Sequence, residues 1–231
     1  MNSDRRDTQI SKSLAYLLRH GAIKEGLPID VDGYVPIDVL LAHNRLKSQN
    51  ATKLDVDRVV ATNSKKRFHV KTVNNVGLIC ATQGHSIEQI VPTKSVLVPI
   101  TDPQELPEKL IHGTNVANCL VILETGYIKK MRRNHVHLAP GVTGIDDNVV
   151  SGMRNSSNVH IYLQRDTILE KATLFKSLND VYLSVTDIPI SLIEKVTIKA
   201  KRGGDKDSKA PKKVQELTTL LEKMHIPYKM I

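Results

Sequence analysis

Apolar residues recur every three to four positions in three separate stretches near the start of the chain. The first stretch predicts a helix that begins at Asp7 or Thr8 and ends at Gly21. A second helix is expected to start after Pro36, and a third covers residues 55–63, DVDRVVATN. The apolar face of the first helix consists of Ile10, Leu14, Leu17 and Leu18.

Two short β-type runs follow these helices, RFHVKTV at 67–73 and VGLICA at 76–81. Asn74 and Asn75 join them, and asparagine tolerates the positive φ that a two-residue hairpin turn requires. We therefore predict a β-hairpin here. Three helices followed by a hairpin is the element order of a winged helix, a variant of the helix-turn-helix.

Four prolines interrupt residues 91–107, VPTKSVLVPITDPQELP, so no helix is expected to run through this stretch. We interpret residues 96–106 as a linker between an N-terminal lobe, 1–95, and a second lobe, 107–200. The charge-dense stretch AKRGGDKDSKAPKK predicts a flexible basic segment, which a C-terminal helix follows. Together these last two features make residues 201–231 a separate part of the chain.

Short β-type runs dominate the second lobe: LIHGTN, NHVHLA, VHIYLQ, VYLSV and VTIKA. One amphipathic helix, NVANCLVILETG, is expected to end at Gly126. Because strands and helices do not alternate, we predict a small mixed or antiparallel sheet and an α+β chain. The sequence has neither GxGxxG after a strand nor GxxxxGK[ST], so a Rossmann or P-loop nucleotide site is not expected.

The formal net charge is +9 and the sequence pI is about 9.5. That excess favours a polyanionic partner, nucleic acid first and an anionic membrane surface second. A basic protein with a basic tail is the plain alternative. Aromatic residues make up only 3% of the chain, which argues against base stacking and for phosphate contacts.

The chain contains no run of about 18 apolar residues, and its polar N-terminus lacks the pattern of a secretory signal. We therefore expect an intracellular protein without a membrane span, in the cytoplasm or the nucleus. Cys80 and Cys119 lie in apolar stretches, which is typical of buried free thiols.

Arginine and histidine stand beside apolar residues at Arg19-His20, in KKRFH at 65–69 and in MRRNHVHL at 131–138. In the last stretch Arg133, His135 and His137 alternate at strand spacing, so we expect them to share one face. A face of this composition requires anions or solvent, which indicates a role towards a ligand.

A zinc site is the alternative for these histidines, with His112 or Cys119 as a third ligand. No CxxC or HExxH spacing supports it, and Arg133 would repel a cation. We therefore predict no metal. A Ser-His-Asp hydrolase is disfavoured because GxSxG is absent.

Eight stretches, in order from about residue 10 to residue 195, give the chain a specific resemblance: SKSLAYLLRH, DGYVPIDVLL, KKRFHV, CATQGHS, LIHGT, MRRNHVHLAPG, SGMRNSSNVHIYL and VYLS. The chain resembles the NAD-dependent RNA 2′-phosphotransferases, which remove the splice-junction 2′-phosphate from tRNA. The resemblance implies an N-terminal winged-helix lobe that holds RNA and a C-terminal ADP-ribosyltransferase-like lobe that holds NAD as co-substrate. It implies no metal, and we expect a monomer.

The resemblance also assigns residues to roles. The catalytic basic tetrad of the family falls on Arg19, His20, Arg67 and Arg133. Arg133 is chosen over Arg132 because it directly precedes Asn134-His135. The NAD-binding motifs fall on His112, Gly113 and Thr114 (HGT), His135 and His137 (HVHL), and Gly152 and Arg154 (GxR).

The residues near the hairpin are expected to contact RNA. Lys65 and Lys66 are expected to contact phosphates, and His69 is either a further RNA contact or a plain hairpin residue. The stretch Cys80-Ala81-Thr82 departs from the family pattern, because many relatives carry a basic residue there.

The resemblance implies two chemical steps. The 2′-phosphate first displaces nicotinamide from NAD, and the ribose 2″-hydroxyl then attacks the phosphorus. Fixed guanidinium groups suit both steps, and His20 is expected to act as an acid towards the leaving 2′-oxygen or to position the phosphate. Two rivals remain open: a winged-helix nucleic-acid-binding protein without catalysis, and an ADP-ribosyltransferase that stops after the first step.

Overall fold

The structure, a computed structural model, describes residues 3–146, 149, 151–199 and 209–231. The chain divides into two units. Unit 1 consists of Met1–Val98, Arg132–Asn134 and Ser177–Asn179, and unit 2 of Pro99–Met131, His135–Lys176 and Asp180–Ile231. Helices and strands are mixed in both units, so the predicted α+β class is confirmed for the described residues.

The first helix, α1, covers Ser3–Tyr16, so the prediction of Asp7 or Thr8 as its start is wrong. Its polar first turns are held from outside the helix. Arg6 lies 2.7 Å from the Asp55 carboxylate, and Arg58 lies 2.7 Å from that of Asp7. Because these ion pairs stabilise the N-terminal turns, the helix extends beyond its apolar stripe.

A π-helical turn, Leu17–Gly21, follows α1 directly. The helical segment ends at Gly21 as predicted, but for a different reason from the one expected. A Cβ atom on Gly21 would lie 2.6 Å from the ring of Tyr16, so glycine is required for packing. Such single π-turns occur often at functional sites.

The remaining helices of unit 1 are α2 (Ile37–Ala42), α3 (Asn44–Lys47) and α4 (Lys53–Thr62). The second predicted helix is therefore two short ones, which His43 separates in an extended conformation. Thr52 starts α4 with a capping box, and Asn63 follows its last residue, as the sequence predicts.

The predicted hairpin is confirmed. Strands β2 (Phe68–Val73) and β3 (Val76–Ala81) pair antiparallel, and Val73 lies opposite Val76. Asn74 and Asn75 have φ angles of 49° and 63°. A short strand β1 (Val35–Pro36) joins β3 on its other side. The core of unit 1 gathers the apolar faces of these elements, including Ile10, Leu14, Leu17, Leu18, Leu40, Leu46, Val59, Phe68 and Ile79.

Unit 2 is built mainly from short strands. They are β4 (Leu97–Ile100, which begins in unit 1), β5 (Ile111–Thr114), β6 (Tyr127–Ile128), β7 (Val136–Leu138), β8 (Val159–Leu163), β9 (Leu174–Ser177), β10 (Tyr182–Ser184), β11 (Ile188–Pro189), β12 (Ile193–Ile198) and β13 (Tyr228–Met230). They form sheets ordered β13-β12-β8-β5, β4-β9-β10-β7 and β11-β6. Most of these pairs are antiparallel, whereas β12 and β13 pair in parallel.

The helices of unit 2 are α5 (Val116–Thr125), α6 (Ile168–Lys171) and α7 (Lys209–Lys223). Gly126 ends α5 with a φ of 78°, as predicted. Leu217 and Leu221 of α7 are fully buried in the core of the unit. The flexible segment predicted from the sequence is wrong for its last five residues, because α7 begins at Lys209, and its residues 200–208 lie outside the described ones.

The proline-rich stretch is more ordered than a plain linker. It contains β4 and a single 3₁₀ turn, Pro103–Glu105, which Asp102 caps. Cys80 and Cys119 are buried free thiols, as predicted. Among the helices that the structure describes, none has the length and apolar character to cross a bilayer.

Candidate active site

Arg19 occupies the π-turn at the end of α1. Its Nε and Nη2 atoms are buried and have no hydrogen-bond partner among the described residues. Burial, followed by the charges of Arg67 and Arg133, lowers the pKa of Arg19 to about 10, so the group is a cation at neutral pH. A buried guanidinium with free donors is costly, and it indicates a place where an anion belongs.

Three basic side chains surround this position in unit 1. We call the set Arg19, His20, Arg67 and Arg133 the arginine cluster. Burial lowers the pKa of Arg67 too. Within the described part of the chain, no carboxylate forms an ion pair with Arg19 or Arg67. The structure thus brings the four predicted tetrad residues into one electrostatic neighbourhood.

His20 follows Arg19 in the π-turn, and its side chain is largely exposed. Its Nδ1 atom lies 2.8 Å from the Ser86 hydroxyl oxygen. Partial loss of solvent, and then the charges of Arg19 and Arg133, lower the pKa of His20. The imidazole is therefore neutral at pH 7 before an anion arrives.

The loop Gln83–Ser86 connects the parts of the arginine cluster. The backbone N–H of Ser86 donates to the carbonyl of Arg19 at 2.9 Å. Gly84 has a φ of +90°, and a Cβ there would lie 3.5 Å from Arg19 Nε, so the loop passes alongside this guanidinium. The carbonyl of His85 accepts the backbone N–H of Asn134 at 2.9 Å.

Asn134 holds Arg133 in unit 1. Its side-chain amide donates to the carbonyls of Ile87 and Ile90, at 2.9 and 3.3 Å. A segment from the second half of the sequence thereby belongs to unit 1. Sequence reasoning missed Ser86 and the role of Asn134. The only signal was the small, polar run QGHS at 83–86, which is part of one of the stretches that carry the resemblance.

Arg67 is fixed from both sides of its backbone. Its N–H donates to the side chain of Asn63 at 3.3 Å, and its carbonyl accepts the N–H of Thr82 at 2.9 Å. Lys66 is exposed and has a φ of 42°, while the carbonyl of Lys65 accepts the Asn179 side-chain amide at 3.0 Å. Both lysines therefore lie on the turn that presents Arg67.

His69 lies on β2 but is engaged elsewhere. Its Nδ1 atom lies 2.8 Å from the hydroxyl of Tyr34, and the two rings pack edge to face. The ammonium group of Lys71 sits 3.7 Å from the centre of the Tyr34 ring. These contacts favour the plainer alternative for His69, a residue that belongs to the hairpin.

The three NAD-type motifs converge in unit 2. We call the segments 111–114, 135–139 and 152–154 the HGT group. The Nδ1 atom of His112 lies 3.1 Å from the carbonyl oxygen of His137. Ile111 and Ala139 exchange two backbone hydrogen bonds of 2.9 and 2.8 Å. Sequence stretches up to about forty residues apart thus form one local structure.

Glycine is required twice in the HGT group. A Cβ on Gly113 would lie 2.5 Å from the Cβ of Met153, and one on Gly152 would lie 2.8 Å from the Cβ of Ala139. Gly152 also has a φ of +108°. The space beside Gly113 is therefore occupied by Met153. Thr114 is buried and Arg154 is exposed.

The expected common face of Arg133, His135 and His137 does not form. Strand β7 covers only Val136–Leu138, and Arg133 precedes it in a bend that belongs to unit 1. Both histidines are buried, with exposures of 7% and 8%. The side chain of His137 contacts the carbonyl of His135 at 3.1 Å, so its polarity is satisfied inside unit 2. The prediction from the alternating spacing is wrong because the strand contains only three residues and begins after Arg133 and His135.

Burial, and then the charge of Lys130, lower the pKa of His135 to about 4. This histidine is therefore neutral at pH 7. Within the described residues, no three histidine, cysteine, aspartate or glutamate side chains are grouped as metal ligands would be.

Three guanidinium groups and one imidazole, with two buried donors of Arg19 that have no acceptor among the described residues, form an arrangement suited to a phosphate-like anion. Comparison with known proteins relates the chain to a family. The family model described as "RNA 2′-phosphotransferase, Tpt1 / KptA family" matches residues 5–186.

Individual relatives agree with the family model. The chain is 49% identical to the tRNA 2′-phosphotransferase of Saccharomyces cerevisiae, covering 100% of this chain and 98% of that one. It is 43% identical to tRNA 2′-phosphotransferase 1 of Bos taurus over 78% of this chain and 69% of the relative. A probable RNA 2′-phosphotransferase of Rhizobium leguminosarum is 37% identical over 62% and 70%. The chain belongs to the RNA 2′-phosphotransferase family.

Proposed function

We propose that this protein removes the splice-junction 2′-phosphate from ligated tRNA and transfers it to NAD. The products are RNA with a 2′-hydroxyl, ADP-ribose 1″,2″-cyclic phosphate and nicotinamide. The observation that carries the proposal is the arginine cluster, because two buried donors of Arg19 have no acceptor among the described residues. Membership of the RNA 2′-phosphotransferase family supports an RNA 2′-phosphate as the anion.

In the first step, an oxygen of the 2′-phosphate attacks C1″ of the nicotinamide ribose. The bond from C1″ to nicotinamide breaks, and the RNA carries ADP-ribose on its 2′-phosphate. The reaction brings a phosphate dianion towards the pyrophosphate of NAD, so positive charge must offset their repulsion. Arg19, Arg67 and Arg133 supply fixed positive charge, and guanidinium forks bind two phosphate oxygens at a time.

In the second step, the ribose 2″-oxygen attacks the phosphorus and the bond to the RNA 2′-oxygen breaks. The proton of the 2″-hydroxyl is lost, and a proton arrives on the RNA 2′-oxygen. Charge builds on the phosphoryl oxygens in the transition state, where preorganised cations lower the barrier. No metal is part of this proposal.

His20 is the proposed acid that protonates the leaving 2′-oxygen. In the free protein, burial and then the charges of Arg19 and Arg133 lower its pKa. A bound phosphate dianion offsets these charges and raises the pKa again, so the imidazolium forms in the complex. Positioning of the phosphate by His20 is the alternative role. A bell-shaped pH profile that is unchanged in His20→Ala would exclude the acid role.

The HGT group is the proposed NAD site, through His112, Gly113, Thr114, His135, His137, Gly152 and Arg154. The convergence of three separate motifs supports it. Arg154 is an exposed cation, which suits contact with the pyrophosphate. The buried histidines and the two glycines allow the segments of the HGT group to pack closely. We further propose a winged-helix RNA lobe and an ADP-ribosyltransferase-like NAD lobe, in keeping with the element order of each unit.

Lys65 and Lys66 are proposed to bind RNA phosphates beside Arg67. Their replacement by alanine should weaken binding by about tenfold or less and reduce its salt dependence, since each removes a phosphate contact. The catalytic rate at saturating RNA should change little.

The test follows an RNA with one internal 2′-phosphate that is labelled at that phosphorus. The protein is incubated with it in EDTA, with and without NAD. Transfer of the label to a cyclic ADP-ribose phosphate, only when NAD is present, is the expected result. Label that stays on RNA joined to ADP-ribose would identify a transferase that stops midway, and bound but unchanged RNA would identify a binding module.

A further inference from the structure

The hydroxyl of Ser86 contacts the ring of the histidine in the arginine cluster. Ser86 Oγ lies 2.8 Å from His20 Nδ1, and the Ser86 backbone N–H donates to the carbonyl of Arg19 at 2.9 Å. One half-buried residue thus holds both members of the Arg19-His20 pair. The two contacts join the π-turn to a loop more than sixty residues later in the sequence.

A hydroxyl is the suitable partner for a histidine that gains and loses a proton. When Nδ1 of His20 has a lone pair, the Ser86 O–H donates to it. When the ring is protonated, Nδ1–H donates to Ser86 Oγ, and the hydroxyl only rotates. The ring therefore keeps its orientation whether or not Nδ1 carries a proton. For acid catalysis from Nε2, Nδ1–H donates to Ser86 Oγ both before and after the Nε2 proton leaves.

A carboxylate at this place would act differently. The charged groups that face His20 are Arg19, from its own turn, and Arg133, from the segment next to Asn134. An acidic residue would pair with these guanidinium groups and compete with the phosphate. Serine orients the imidazole and leaves the positive charge of the arginine cluster intact.

We propose that Ser86 is a positioning residue that orients the imidazole of His20 for proton transfer. The inference rests on the proposed function, because it assigns Ser86 to the step in which His20 donates its proton. Ser86 itself does not contact the reacting atoms in this proposal and acts through His20.

Kinetics of three variants test the proposal. Ser86→Ala should lower kcat about 10- to 100-fold, part of the effect of a general acid, with KM for RNA changed less than about threefold. Ser86→Thr keeps the hydroxyl and should restore kcat to within about threefold of the wild-type value. Ser48→Ala, which changes an exposed serine of the same unit, is the matched control.

A double-mutant cycle separates orientation of His20 from general support of the fold. If Ser86 acts through His20, Ser86→Ala should cause no further loss of kcat in the His20→Ala background. Equal losses in both backgrounds would overturn the proposal, and so would a Ser86→Ala enzyme with unchanged kcat. Thermal unfolding of each variant shows whether a loss of kcat comes from misfolding. If Ser86→Ala misfolds, the kcat of Ser86→Thr decides whether the hydroxyl is required.

A measurement on the free protein keeps this test separate from that of the proposed function. Nuclear Overhauser contacts between His20 Hε1 and the Ser86 β-protons are expected, because the two residues are bonded in the absence of RNA. Their absence would overturn the proposal. A wild-type protein that shows the contacts but transfers no label would overturn the proposed function and the catalytic part of this inference together.

Discussion

Replacement of Arg19 by methionine should make the protein more stable and less able to bind phosphate. Methionine retains an apolar chain of similar length but removes the charge and the donors. In the native protein the Nε and Nη2 atoms of Arg19 are buried without a partner among the described residues. The substitution therefore removes a buried charge and leaves no unpaired partner behind.

The magnitude follows from the pKa. Burial, with the charges of Arg67 and Arg133, lowers the pKa of Arg19 to about 10 from its ordinary value. A decrease of this size corresponds to about 3 kcal/mol by which the fold disfavours the charged guanidinium. Because the folded pKa lies below the unfolded one, this penalty is complete at pH 7 and disappears only as the pH rises above about 10.

We expect the free energy of unfolding of Arg19→Met to rise by about 1–3 kcal/mol, since lost contacts of the side chain offset part of the gain. For a chain of this size that is a Tm increase of roughly 2–4 °C per kcal/mol. Arg132→Met, at the exposed neighbour of Arg133, is the control and should shift stability by less than about 0.5 kcal/mol.

The same variant should lose the protection that an anion gives. Phosphate, or a 2′-phosphorylated oligonucleotide, should raise the Tm of the wild-type protein by mass action. Arg19→Met should bind the oligonucleotide about 10- to 100-fold more weakly, because charge-assisted hydrogen bonds are lost. Titration calorimetry measures that ratio. An Arg19→Met protein that is less stable than wild type and still protected by phosphate would refute the reasoning.

Three further predictions concern the supports of the two units. Burial of Asp55 is outweighed by hydrogen bonds from Arg6, Thr52 and Arg58, which hold the pKa of Asp55 well below its ordinary value of 3.8. The contribution of Asp55 to the free energy of unfolding is therefore lost as the pH falls below about 4. Asp55→Asn should lower the free energy of unfolding, measured in urea at pH 7, by about 2–4 kcal/mol, and the control Asp57→Asn, at an exposed residue, by less than about 0.5 kcal/mol. The pKa of His135 is lowered to about 4, so the free energy of unfolding should fall by up to about 3 kcal/mol as the pH falls from 6.5 to 4. His135→Gln should remove this pH dependence. Equal pH slopes of the unfolding free energy in the wild-type protein and in His135→Gln would contradict the prediction. Gly113→Ala places its Cβ 2.5 Å from the Met153 Cβ and should lower stability by about 1–3 kcal/mol and raise KM for NAD; Met153→Ala should not rescue it, because the Cβ remains.

Most elements could be predicted from the sequence because their signals are local. The apolar stripe of α1, the paired asparagines of the hairpin and the glycine after α5 act through their own neighbours in the chain. The errors occur where distant residues intervene. Ion pairs with Asp55 and Arg58 extend α1 to Ser3. Strand β7 is shorter than its alternating pattern, because Asn134 holds the preceding residues in unit 1.

The residues of the candidate site were also evident from the sequence, but the contacts that explain why each one is needed were not. The resemblance pointed to Arg19, His20, Arg67 and Arg133, and to the HGT group. It did not indicate that Ser86 bonds His20, or that Gly113 is required by Met153. Both contacts join residues at least forty positions apart. The roles of the site residues and the boundaries of the lobes stay predictions that the experiments above address.

The sequence by itself determined the helices and strands, the positive charge, and the motifs that mark the family, since each depends on residue type and spacing. Only the tertiary structure decided which basic side chains lie close together and which of their donors have no hydrogen-bond acceptor among the described residues. Four basic residues from three separate stretches gather in one unit, and the buried Nε and Nη2 donors of Arg19 find no acceptor among the described residues. The physical reason is that burial and mutual repulsion depend on three-dimensional distance, which residue spacing does not specify.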